Sequence, residues 1–371
     1  MSAAHRLDGD AKGAPARHRA GGWGRAAGAA VVALGALAVT ARAAPPAVAV
    51  PFYDAGHFVQ GLHRALTAPA AQRFAARAGA LSTALRGHCD ARGAGSLADA
   101  RAGYGAAVDA WERLSAVAVG PLLERRSLRA IDFAPPRPAL IERAIDAQPR
   151  GAEAMERVGT PAKGLPALEW LLWTRPVERD TPACRYAVEV AADIGREADA
   201  LAGAFDALAR RDWSGDEAAG PAMAEALNQW LGGLERLRWA GIERPLRAAA
   251  GAGDVPAFPR RASGGTAAAW AAEWDTLRAL GRLAAGAAPP QPGQGLVPFE
   301  TYLRGRGLNP QADALRRAIA QADTALDGLM PESGPRLQAA ARALDALARE
   351  VEGQVAPALE VSIGFSDADG D

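Results

Sequence analysis

KGLPALEWLLW, residues Lys163–Trp173, is the stretch on which the fold reading turns. It reads as a helix start. Pro166 suits the first helical position, where its missing N–H is not needed and its fixed φ is already helical. Leu165, Ala167, Leu168, Trp170, Leu171, Leu172 and Trp173 leave no polar face, so this helix is expected to be buried all round. Glu169 alone breaks the apolar run. A first-turn carboxylate gains from the helix N-terminus, yet inside a core it needs a partner or must take up a proton. Two readings of Glu169 stand side by side: a structural ion pair with an arginine of a neighbouring helix, or a ligand for a metal or other cation. Lys163, just upstream, is the only lysine after residue 12 in an arginine-rich chain.

Outward from this segment the chain keeps a helical style. Ser96 is placed to cap a helix over residues 97–119, on which Leu97, Tyr104, Val108, Trp111, Leu114 and Ala118 recur at steps of three, four or seven. Glu112 and Arg113 flank that stripe. Gly120-Pro121 stops the helix, and an irregular connector follows that holds Asp132, read as a solvated loop carboxylate. Thr181 begins a long helix to residue 209. Further helices are expected over 52–67, 69–89, 139–147, 222–250, 309–329 and 335–355, with a Gly/Pro-rich loop containing Arg260, Arg261 and Ser263 before a helix capped by Thr266. The chain is 49% hydrophobic with only 6% aromatics and few β-branched residues, which favours helix over sheet. The expected class is all-α. Two helical-bundle halves, 52–212 and 213–371, divide at the loop around Trp213.

The N-terminus reads as an export signal. Arg6, Lys12, Arg17, Arg19 and Arg25 form a basic region, residues 26–40 an uncharged apolar core, and Ala41-Arg42-Ala43 a small-x-small cleavage site. The apolar run is short for a membrane span, and an uncleaved anchor is the competing reading. Cleavage would leave a mature chain from residue 44, with residues 44–51 as a linker, no transmembrane segment and a periplasmic address. A net charge of +0 gives no reason to expect a nucleic-acid partner. Cys89 and Cys184 are compatible with one disulfide in an oxidising compartment, or with two buried thiols. No HExxH, HxxEH, GxSxG, Gly-rich phosphate loop or CxxC occurs. His57, His63 and His88 all precede residue 89. The tail, with Asp367, Asp369 and Asp371, lacks the glycine offset and closing glutamate of a calcium loop.

KGLPALEWLLW closely resembles the signature segment of the imelysin-like family, which includes iron-regulated protein A. Three further stretches are similar in the same order. They are AWERLSAVAVGPL with IDFAPPRPALIERAI, then RRASGGTAAAWAAEW, and last VSIGFSDADGD. The resemblance implies two helical bundles, export to the periplasm, a link to iron uptake and an envelope or iron-uptake protein as partner. It also implies a motif GxHxxE with iron or another divalent metal as the cofactor. Gly164 and Glu169 match, but Pro166 stands where the histidine would be, which halves the motif as a metal pair and weakens peptidase chemistry. By the same analogy Glu112, Arg261 and Ser263 are neighbours of Glu169, supported by Lys163 and Gly164. The function expected from the resemblance is non-enzymatic ligand or partner binding centred near Glu169. A metallopeptidase and a helical docking module for an envelope partner are the alternatives.

Overall fold

Helix starts are written into the sequence where polar caps precede apolar runs. Asp54 and His57 form a reciprocal capping box at the first helix, and Ser96 with Asp99 forms another. Thr181 accepts from the Cys184 N–H, with Pro182 at the first helical position. The computed structural model describes residues 49–364, all of whose regular structure is helical. The signal reading for 1–43 and the acidic tail from residue 365 lie outside the described residues.

In chain order the helices are α1 Ala55–Leu62, α2 Ala68–Cys89, α3 Leu97–Ser115, α4 Pro121–Glu124, α5 Ser127–Ile131, α6 Pro138–Ala147, α7 Gly151–Glu156 and α8 Gly164–Glu169. They continue as α9 Pro182–Arg210, α10 Ala219–Arg236, α11 Arg244–Ala252, α12 Thr266–Gly281, α13 Phe299–Gly305, α14 Asn309–Leu326, α15 Gly334–Glu350 and α16 Ala356–Ala358. Several expected long helices are interrupted by wider π turns. His63–Thr67 joins α1 to α2, Leu237–Glu243 joins α10 to α11, and Val351–Val355 follows α15. The apolar period runs on through such turns, so the sequence pattern does not reveal them.

Among the described residues the helices pack as one compact unit, whose chain halves lie before and after Trp213. In the first, α2 lies against both α3 and α9. Cys89, at the end of α2, is joined to Cys184, at the start of α9, by a disulfide with Cα atoms 5.5 Å apart. In the second, α14 pairs with α15 and α13, and α15 packs on α10 and its π turn. The halves meet where α3 lies on α12 and α1 on α10. Phe58, Phe299 and Trp230 stack through this seam with centroids 4.9 and 5.1 Å apart. Trp213, expected on an open loop, is 3% exposed and donates its indole N–H to the Leu208 carbonyl.

Candidate functional site

The helix of the segment that decides the fold begins two residues earlier than the proline suggests. Lys163 is the extended N-cap, α8 starts at Gly164, and Pro166 is its third residue, still among the N–H positions that need no partner. Gly164 has φ +79°, and a Cβ there would collide with the Ile131 carbonyl. This close approach sets α8 directly against the residue before Asp132. Gly164→Ala combines that collision with a left-handed backbone, and a loss of about 3 kcal/mol in denaturant unfolding is expected. Glu169 is consequently the last residue of α8 rather than a first-turn carboxylate, and a π turn, Trp170–Thr174, follows it. Arg101 donates two hydrogen bonds to the Leu172 carbonyl within that turn, at 2.9 and 2.7 Å, and lies over Trp173. The expectation of burial all round fails at Trp170 and Trp173, which are half-buried, as is Glu169.

Glu169 is met by the loop between α11 and α12. The Ser263 N–H and hydroxyl donate to Glu169 Oε1 at 2.8 and 2.6 Å. Three residues earlier in that loop, Arg260 adopts φ +60°, a left-handed conformation that turns its side chain into the protein, where it is 4% exposed. Its Nε and Nη2 donate to Glu112 Oε1 on α3 at 3.1 and 3.0 Å, and Nη2 also donates to Asp132 Oδ2 at 2.6 Å. Trp111 supplies a second donor to Asp132 Oδ2 at 3.1 Å. The loop is held in shape by its own bonds, Gly265 N–H to the Arg260 carbonyl and Thr266 hydroxyl to the Pro259 carbonyl. Thr266 is thus the first residue of α12, with Gly265 as its N-cap, rather than the cap itself.

Charge is concentrated here against the usual cost of burial. Burial would lower the Arg260 pKa, but Asp132, the Tyr104 hydroxyl and Glu112 outweigh it and the guanidinium is held well above its ordinary value. Burial drives the Glu112 carboxyl up, with Arg260 opposing and Asp132 and Glu273 adding to the rise. Glu273, on α12 beside Arg236, is pushed up by burial to about 6. Tyr104, 1% exposed, is raised by burial and lies in the field of Arg260, Glu169, Asp132 and Glu112. Among the described residues its hydroxyl has no hydrogen-bond partner, and Glu273 Oε1 has only the Arg236 guanidinium at 3.4 Å.

Glu273 gives a pH prediction. Its folded pKa of about 6 exceeds the ordinary 4.5, so the folded state holds the proton more tightly. The stability this contributes is full below the unfolded value and is lost as pH rises through the folded one. Wild type should therefore lose about 2 kcal/mol through this group across that window. Glu273→Gln should flatten the difference between melting temperatures measured at pH 5 and pH 7.

The sequence-predicted residues separate into two sets. Glu169, Glu112 and Ser263 share one polar network, with Gly164 shaping its edge and Pro166 buried in α8. Lys163 instead pairs with Asp193 at 3.0 Å and donates to the Met155 carbonyl, so it serves the α8–α9 contact. Arg261 is exposed, and its neighbour Arg260 is the residue that turns inward. A tandem arginine offers no sequence cue to which member does so, because the left-handed φ is set by the folded loop. Asp132, read as a solvated loop carboxylate, is in fact an Arg260 and Trp111 partner. Tyr104 was legible only as part of a helical stripe, and nothing in the spacing singled out Glu273. The histidines among the described residues are elsewhere: His57 caps α1, His63 bonds Thr67, and His88 bonds the Val177 carbonyl.

The Imelysin family model matches residues 67–360, a span that carries α3, α8 and the Arg260 loop. The chain belongs to the imelysin family. Two solved structures share its fold. An imelysin-like protein from Psychrobacter arcticum 273-4 is 20% identical with a TM-score of 0.64, covering 86% of this chain and 100% of its own. A protein described as an iron-regulated protein A precursor, from Parabacteroides distasonis ATCC 8503, is 14% identical with a TM-score of 0.66, covering 82% and 95%. No curated protein matches. As in an all-α imelysin fold, the described residues contain no helix long and apolar enough to cross a membrane.

The divalent metal that the GxHxxE resemblance implies does not fit this imelysin site. The Pro166 side chain offers no ligand atom. Glu112 and Asp132 already face a guanidinium, and one Glu169 oxygen is taken by Ser263. Among the described residues no three His, Cys, Asp or Glu side chains are grouped so as to hold a metal ion, whereas a water-activating centre needs about three protein ligands.

Proposed function

We propose that this imelysin-family chain is a non-enzymatic binding protein of the periplasm, working in iron-linked uptake, with its binding site at Glu169. The observation that carries the binding role is the Tyr104 hydroxyl, buried beside four charged side chains and without a hydrogen-bond partner. Buried hydroxyls are rarely left so unless water or a ligand completes them. Glu169 adds a half-exposed carboxylate with one oxygen outside the Ser263 contact, and Trp170 and Trp173 are half-buried next to it. A small polar ligand or a partner side chain that donates to Glu169 suits this half-buried surface, and contact with the buried Tyr104 hydroxyl would need the network to open.

The iron link comes from the resemblance and from the name of the Parabacteroides neighbour, and the periplasmic address from the signal reading of residues 1–43. Cells lacking the chain should regain iron-limited growth with wild type and fail to regain it with Glu169→Ala at equal periplasmic abundance. Full rescue by Glu169→Ala would remove Glu169 from the function. A chelator-sensitive peptide-cleaving activity in the pure protein would bring back the metallopeptidase reading.

A further inference from the structure

One nitrogen of Arg260 does what a bridging metal ion would do. Nη2 lies 3.0 Å from Glu112 Oε1 and 2.6 Å from Asp132 Oδ2, between carboxylates from two separate elements. The groups around this point are Glu112 and Trp111 of α3, Asp132 of the connector, Tyr104, and Glu273 of α12 with its partner Arg236, while Glu169 of α8 acts on Tyr104. Glu112, Asp132 and Glu273 outnumber the two guanidiniums, and the Tyr104 hydroxyl, without a hydrogen-bond partner among the described residues, lies beside the same group. The cation is supplied by a loop that has its own internal bonds and a left-handed residue at the arginine itself.

We infer that Arg260 is a built-in cation which closes the Glu112–Asp132 pair to divalent metals, and that removing its guanidinium converts the pair into a metal site. The inference rests on the reading above only in placing both carboxylates in the binding region. Chemistry sets the class of ion. The donors are carboxylate oxygens with a phenol nearby, a hard set that suits Mg²⁺ or Mn²⁺ completed by water rather than thiophilic metals. In wild type such an ion would have to displace a guanidinium that makes three hydrogen bonds.

Manganese titration of the whole chain, followed by loss of the free-ion electron paramagnetic resonance signal, tests this. Wild type should show no Mn²⁺ binding that Asp132→Asn weakens. Arg260→Ala should bind one Mn²⁺ at least about tenfold more tightly than wild type, and the double variant Arg260→Ala/Asp132→Asn should lose that gain. Free guanidinium ion, below denaturing concentrations, should displace the metal from Arg260→Ala. Folding of each variant is followed by circular dichroism, and Arg260→Gln replaces Arg260→Ala if the smaller side chain does not fold. Wild-type binding that Asp132→Asn abolishes would overturn the inference. So would a folded Arg260 variant that binds Mn²⁺ no better than wild type. Neither result depends on Glu169, so failure here is distinct from a growth or ligand result that fails at Glu169.

Discussion

Arg260→Met is expected to destabilise the folded chain by about 3–5 kcal/mol, because it strands two carboxylates whose partner is gone. Arg260 is 4% exposed, and the side chains of Glu112 and Asp132 are 14% and 25% exposed, so water replaces little of what the guanidinium supplies. The loss should depend on pH. Glu112 already holds its proton more tightly than an ordinary carboxyl, and without Arg260 its pKa should rise further. At pH 5 much of its charge is then absent and the penalty is smaller than at pH 8. Urea unfolding of wild type, Arg260→Met and Arg260→Met/Glu112→Gln at both values measures this. The double variant should recover part of the loss at pH 8, the coupling expected of residues in direct contact.

Cys89→Ser/Cys184→Ser should cost a similar amount by a different route. The disulfide closes a separation of 95 residues between the end of α2 and the start of α9. A loop of this length corresponds to about 4–5 kcal/mol in the chain-entropy account of cross-links. The same pair of helices makes the most extensive packing in the first half, so the reduced chain should keep its helices while unfolding at lower denaturant. Urea unfolding of the double variant beside the wild type under oxidising and reducing conditions checks it. Wild type in reductant should approach the variant.

The helical class was legible because it rests on periodicity and caps, and those are local. Ser96 and Thr181 cap the helices they were expected to start, and the Trp111–Leu114 stripe faces the core. The π turns were not legible, since an extra residue in one turn leaves the apolar spacing nearly intact. One such turn immediately follows Glu169, and α8 begins two residues before the proline, so the side chain that stood out in the sequence lies past the first turn of its helix. For the site, the apolar surroundings of Glu169 announced a polar partner. Its partner proved to be Ser263, while the buried arginine serves Glu112 and Asp132. That division is set by a left-handed backbone at Arg260 and by the close approach of Gly164 to Ile131. Both arise from tertiary packing, which residue spacing does not encode.

On the proposed reading, Glu169 and Tyr104 hold a ligand in a site without a catalytic metal. Native mass spectrometry of the protein purified from its own cells, wild type beside Glu169→Ala, tests this. The predicted result is one small molecule or partner on wild type, absent from the folded variant, with no stoichiometric metal on either. Identical spectra for the two proteins, or one equivalent of metal that disappears with Glu169, would contradict it.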